Sequence, residues 1–396
     1  MNTKKIFYFL GNHAHHITHA LPLYNKLGGE FIVLSEEAKI FCQAKGVNVI
    51  AIDNYPGQHL QFDLDKVQCT IDYLNNHGGI IFFYDIFNIV PELTNLKKIM
   101  LFHGNSLKKY YNGWGISIIT PWWISIIKNF DYITTLTPIR EKTLREIGVS
   151  ENKFIKVGLT RWDDIIKNKS IIKDKECIYE KIGISNKKIV TYMPTWCGLT
   201  SVKFTGKEIL KNISDDYILL FRPHPSTPDY IIKDYLSIIE KKDNILYIPE
   251  NKYPDISIRD IYLLSDIFIA DVSSVLTDSI LTDKPIILAL DNQDIIIFDD
   301  GLYTFFKSVL KKIVFFGGQN PFKHRLISAR YTPIKEIFDV VEKVNTTNAF
   351  LINEKIEKSL NNGIDTAAWT SVKNSFFYDV EGRSIEKLID FVKSIL

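Results

Sequence analysis

Short apolar, β-branched runs recur along this chain, and helix-length amphipathic stretches separate them nearly throughout. The first series is Lys5–Leu10, Phe31–Leu34, Val47–Ile52, Gly79–Tyr84, Ile99–His103 and Tyr132–Leu136. The second is Ile189–Met193, Tyr217–Arg222, Ile245–Ile248, Ile267–Asp271 and Pro285–Leu290. Runs that stay apolar rather than alternating belong to strands covered on both faces, and intervening helices join such strands in parallel. Between the series, Arg161–Asn186 crowds Lys, Asp and Asn together and carries no strand pattern. The expectation is therefore an α/β chain of two Rossmann-like domains facing a cleft, with residues 1–170 and 171–375 as the two domains. Residues 376–396 hold an amphipathic pattern over Ile385–Leu396, read as a C-terminal helix packing back on the first domain.

Composition narrows the function classes. The chain has 396 residues, 46% of them hydrophobic, which excludes a mostly disordered or collagen-like protein. Forty-eight Lys and Arg against 46 Asp and Glu give a formal net charge of +2, so no nucleic-acid partner is expected. Cys42, Cys69, Cys177 and Cys197 form no C-x-x-C pair, and reduced thiols of a cytosolic protein are the reading. The apolar run Ile6–Leu10 is too short for a signal-peptide core, and no stretch reaches the ~18 apolar residues of a spanning helix. The expected location is cytoplasmic. One segment qualifies it: residues 113–128 set three of the six tryptophans among isoleucines, beside Lys128. Such a helix can lie among lipid headgroups as a peripheral membrane contact, or it can be buried in the core.

In doubly wound sheets, ligands bind beyond the carboxyl ends of the strands, so the residues just after each run matter most. After Ile267–Asp271, Ser273 and Ser274 open a helix that carries Asp278 about one turn on. Hydroxyls and backbone N–H groups there suit a phosphate or pyrophosphate, and simple N-capping is the alternative. After Tyr217–Phe221, Arg222 supplies a permanent planar cation, and His224 is held between two prolines. After Ile189–Met193, Thr195 follows Pro194 in a turn that could touch a nucleotide or, equally, serve only as structure. In the first domain, His103 stands at a strand end as a candidate general base, with Gly104 permitting close backbone approach and Lys108 near by. The first strand-to-helix loop, Gly11–His19, holds four of nine histidines, and Asn12 and His13 are expected to be exposed there on the acceptor side. His15 and His19 share a helical spacing, but no carboxylate or cysteine near them completes a ligand set. No metal is expected.

Taken in order, these residues resemble the CDP-glycerol glycerophosphotransferase family of teichoic acid and capsule synthesis. Phe102-His-Gly-Asn-Ser-Leu-Lys-Lys109 is similar to the family's W-H-G-x-x-L-K-K, with Phe102 for Trp. Gly158-Leu-Thr-Arg-Trp-Asp163 is similar to G-x-P-R-x-D, with Thr160 for Pro. Tyr192–Thr195 matches Y-x-P-T, and Arg222-Pro-His-Pro225 matches K/R-x-H-P. Ser265–Asp278 matches the S-D…D-Y-S-S-V-x-x-D element, with Val272 for Tyr. The resemblance covers residues 95–295 and implies a GT-B architecture. It implies that His103 deprotonates an acceptor hydroxyl, with His224 as a further catalytic group. It also implies that Arg222, His224, Ser273 and Ser274 hold the donor diphosphate beside Thr195, with Asp278 orienting their loop. Asn12, His13, Gly104, Lys108 and Arg161 then lie on the acceptor side. The implied donor is CDP-glycerol or another CDP-polyol, the acceptor a lipid-linked or polymeric glycan, and no cofactor is needed. The alternative is a GT-B glycosyltransferase that uses a nucleotide sugar for surface polysaccharide.

Overall fold

The computed structural model describes residues 5–12, 16–56, 60–102, 121–167, 179–180, 182, 187–195, 200–225, 227–249, 252–253, 256–291, 295–298, 325–328 and 334–396. The chain divides into two compact units. The first comprises Met1–Asn105, Ile119–Asp164 and Phe377–Leu396, and Ile165–Phe376 falls to the second.

The first unit is built on strands β1 (Ile6–Gly11), β2 (Glu30–Val33), β3 (Val49–Ala51), β4 (Gly79–Phe83), β5 (Leu96–Met100), β6 (Tyr132–Thr134) and β7 (Phe154–Ile155). They pair in parallel in the order β3-β2-β1-β4-β5-β6-β7. The chain thus steps outward from β1 to β3, then returns to the other side of β1 as β4. Much of the aromatic content goes into this core. Tyr8 stacks on Phe82 at 5.3 Å and meets Phe31 at 4.9 Å, while Phe62 stacks on Phe87 at 5.8 Å. Helix Pro121–Ile127 opens on its proline, where the missing N–H costs nothing. Its end is core: Ile126, Ile127 and Phe130 are buried, and Trp122 is half-buried. Residues 113–120 and the side chain of Trp123 lie outside the described residues.

The second unit carries β8 (Lys188–Tyr192), β9 (Tyr217–Phe221), β10 (Ile245–Tyr247), β11 (Ile267–Ala270) and β12 (Ile286–Leu290). Two further strands, β13 (Ile295–Phe298) and β14 (Arg325–Ser328), pair separately, and β15 (Glu342–Asn345) closes the main sheet. That sheet runs β10-β9-β8-β11-β12-β15, again all parallel. Both sheets therefore repeat the outward-and-return order of a dinucleotide-binding fold, which opens a crevice where the order reverses. In the first sheet that point lies between β1 and β4, and in the second between β8 and β11. Among the described residues, no helix is long and apolar enough to cross a membrane.

Candidate functional site at the strand ends

In the second unit, three strand ends are tied together by hydrogen bonds. After β9, the Arg222 N–H donates to the Tyr192 carbonyl at 3.1 Å, and the His224 N–H donates to the Pro194 carbonyl at 3.2 Å. After β11, the Asp271 carboxylate accepts from the Thr195 N–H at 2.8 and 3.1 Å and from the Ser201 N–H at 3.1 Å. The Ser201 hydroxyl adds a 3.4 Å bond to the same carboxylate and shares a 2.8 Å bond with the Tyr192 hydroxyl. Burial, together with the neighbouring Tyr235 and Asp271, pushes the Tyr192 phenol well above its ordinary value, so it stays a neutral hydroxyl. Asp291, after β12, accepts from the Lys203, Phe204 and Thr205 N–H groups at 2.8 to 3.1 Å. It thereby caps the helix Thr205–Asn212 from outside, a job the helix's own Phe204 cannot do.

The residues expected to bind the donor fall into buried and exposed sets. Thr195, Arg222 and Ser273 are buried, whereas His224 and Ser274 are exposed. One Arg222 donor, Nη1, goes to the Ile256 carbonyl at 3.2 Å, which fixes the guanidinium plane. Ser273 occupies the N-cap position of the helix Ser274–Ile280, yet its hydroxyl makes no cap bond. It donates to the Asp271 carbonyl at 3.2 Å instead, so simple N-capping does not account for this serine.

Asp278, expected to orient the serine loop, is 1% exposed and accepts from the buried Tyr262 hydroxyl at 3.4 Å, on the covered side of its helix. The carboxylate that organises the loops is Asp271, which the sequence reading treated only as a strand end. Its signal was available: an acidic residue closing an apolar run just before Ser273 and Ser274. Ser201 and Asp291 gave no comparable signal.

In the first unit, the strand ends hold a second group. Asn12 was expected to be exposed, but it is 5% exposed, with its Nδ2 donating to the Tyr55 carbonyl at 2.8 Å. It fastens the first loop rather than displaying it. His13, His103, Gly104 and Lys108 lie outside the described residues. Arg161 meets the helix Ile17–Leu27: its Nη1 lies 2.9 Å from His19 Nδ1, and Thr160 donates to the His19 carbonyl at 3.2 Å. His19, Tyr84, Phe102, Thr134, Gly158 and Arg161 line one small pocket. Phe102, the residue before His103, holds a left-handed backbone at φ 60°, under the Arg140 guanidinium at 4.2 Å from its ring. Aromatic residues rarely adopt that conformation, and strain of this kind concentrates at functional loops. Among the described residues, no group of three or more His, Cys, Asp or Glu side chains could hold a metal ion.

Residues 70–310 match the model of a family described as CDP-glycerol:poly(glycerophosphate) glycerophosphotransferase. A teichoic acid poly(glycerol phosphate) polymerase of Bacillus spizizenii is 27% identical over 236 residues, 55% of this chain and 57% of that protein. A teichoic acid glycerol-phosphate primase of Bacillus subtilis is 24% identical over 233 residues, 54% of this chain and 56% of that protein. The chain thus spans little more than half the length of these relatives. The solved structure of the wall teichoic acid polymerase TagF superposes with a TM-score of 0.61 at 15% identity, covering 99% of this chain and 88% of that one. At that identity the likeness speaks for the fold alone.

Proposed function

The chain belongs to the CDP-glycerol:poly(glycerophosphate) glycerophosphotransferase family, and from that premise we propose that it transfers glycerol phosphate from CDP-glycerol to a hydroxyl of a teichoic acid acceptor. The observation that carries the proposal is the junction of β8, β9 and β11. There Thr195, Arg222 and Ser273 come together at the point where the strand order reverses, all inside the family-matched residues. A diphosphate held there meets the Arg222 guanidinium and the Thr195 and Ser273 hydroxyls, groups that stabilise charge moving onto phosphate oxygens. In the reaction, the acceptor oxygen forms a bond to the phosphorus that carries glycerol. The bond from that phosphorus to the bridging oxygen breaks, and CMP leaves with it. The acceptor proton passes to His103, whose place before a conformationally strained Phe102 supports the role. Exposed His224 is the second histidine of the reaction, beside the diphosphate. Arg161 serves the acceptor. The match with polyol-phosphate transferases does not favour the nucleotide-sugar alternative. We place the enzyme at the inner face of the membrane, where tryptophans of residues 113–128 meet headgroups and the acceptor is anchored. Capsular polymers made of the same repeating unit are acceptors of the same chemistry.

The test is a donor titration followed by turnover. CDP-glycerol and CMP should bind and UDP-sugars should not, with CMP released only when acceptor is present. His103→Ala should keep donor binding and lose turnover by ~100-fold or more, the scale of a lost general base. UDP-sugar binding with indifference to cytidine nucleotides, or a fully active His103→Ala, would sink the proposal. Flotation of the protein with liposomes checks the membrane placement in the same preparation.

A further inference from the structure

The backbone groups of Pro194 and Thr195 are already spent inside the protein. The Thr195 N–H goes to Asp271, its carbonyl accepts from the Thr200 hydroxyl at 2.5 Å, and the neighbouring Pro194 carbonyl accepts from His224. The Thr195 hydroxyl is the exception. The residue is 3% exposed, and Oγ1 is buried with no hydrogen-bond partner. A buried hydroxyl left without a partner is destabilising, and natural proteins retain few such groups without a use. This one sits where three strand ends meet, at the reversal of strand order.

We propose that the Thr195 hydroxyl is completed by an anionic oxygen of the bound nucleotide, and that Asp271 is the positioning residue that sets it there. The proposal rests on the donor-binding reading above and assigns the work within it. Asp271 is 0% exposed and grips the chain on both sides of the Thr195 turn, at Thr195 N–H and at Ser201 N–H and Oγ. Its own carbonyl is held by Ser273. One carboxylate thus links the loop after β8 to the loop after β11, so the two sides of the crevice keep one geometry. Fully buried and anionic, Asp271 acts through Thr195 and not on the nucleotide's own anionic oxygens.

The experiment measures CMP and CDP-glycerol binding and the thermal midpoint of the ligand-free protein, in the full chain. Thr195→Val is nearly isosteric and removes only the hydroxyl. It should leave the ligand-free midpoint unchanged or higher, since a buried unpaired group has gone, while CMP affinity falls about tenfold or more. Thr195→Ser should restore that affinity. Asp271→Asn turns an accepting oxygen into an N–H₂ group facing N–H donors, and should raise the donor KM more than it lowers kcat. A purely structural role predicts the reverse for Thr195→Val: a lower midpoint with CMP affinity intact, and that result overturns the inference, however Asp271→Asn folds. Failure of the wild-type protein to bind either CMP or CDP-glycerol overturns the donor reading and this inference together.

Discussion

Gly206 shows how closely the loop around Thr195 is built. A Cβ on it would lie 2.2 Å from the Tyr192 hydroxyl and 2.2 Å from the Tyr235 hydroxyl. Both phenols are themselves committed, Tyr235 to the Val202 carbonyl at 2.8 Å and Tyr192 to Ser201, so neither can withdraw cheaply. Gly206→Ala should therefore destabilise the protein by about 1–3 kcal/mol, the scale of an overpacked core, although alanine is ordinarily the better helix former. Urea unfolding reads this, and a neutral or stabilising result would show that the tyrosines have room to move. The sequence could not show this, because a glycine at a helix start looks like any other. Nor could it rank Asp271 above Asp278. Both are aspartates in one motif, and only burial and partners separate a carboxylate that clamps two loops from one enclosed beneath a helix.

Elements were legible in proportion to how much apolar surface they bury. The central strands β1, β4, β8, β9 and β11 carry buried runs of four or five residues and stand within a residue or so of their expected places. Strand β15 reads Glu-Lys-Val-Asn with one buried residue, so hydropathy could not reveal it. Strand β5 begins at Leu96, earlier than its apolar run, because Lys97 and Lys98 interrupt the apolar pattern while still pairing with Ile80 and Ile81 of β4. Long-range polar contacts were illegible altogether, and one of them has a consequence for pH. Glu141, on the helix Pro138–Glu146, receives Arg145, Lys156 at 3.1 Å and the hydroxyl of Tyr378, which arrives from the end of the chain. Burial alone would raise this carboxyl, but the bonds from Tyr378 and Lys156 and the charges of Lys156 and Arg145 outweigh it and hold it low. A lowered folded value means stability that is present above the unfolded glutamate value of about 4.3 and is lost as pH falls toward the folded one. Glu141→Gln should flatten the acid limb of a stability–pH profile there and lower stability at neutral pH. An acid limb identical to wild type would assign the acid sensitivity to other carboxylates.

At the scale of the molecule, the same doubly wound order appears twice, yet the two units are not simply successive halves of the chain. The last twenty or so residues return to the first unit. Phe377 meets Trp162 edge-on at 4.8 Å, and the Asp163 carboxylate caps the terminal helix by accepting from Ser384 N–H at 3.0 Å and Ile385 N–H at 2.8 Å. The helix then buries Leu388 and Val392 among Ile17, Ala20 and Leu23. Asp163 closes the element that resembles the family's G-x-P-R-x-D, so one short motif supplies both Arg161 for the pocket and the cap for the chain's end. The first unit is thus incomplete until Leu388 and Val392 are in place, whereas the core clusters of the second draw on residues 182–356. Leu388→Ala should then cost about 2–5 kcal/mol, and cost it unequally. Hydrogen exchange should show protection lost at Phe7–Leu10 in β1 and kept at Ile189–Tyr192 in β8. Equal loss at both would mean that the terminal helix supports the second sheet as much as the one it covers, and would overturn the expected asymmetry.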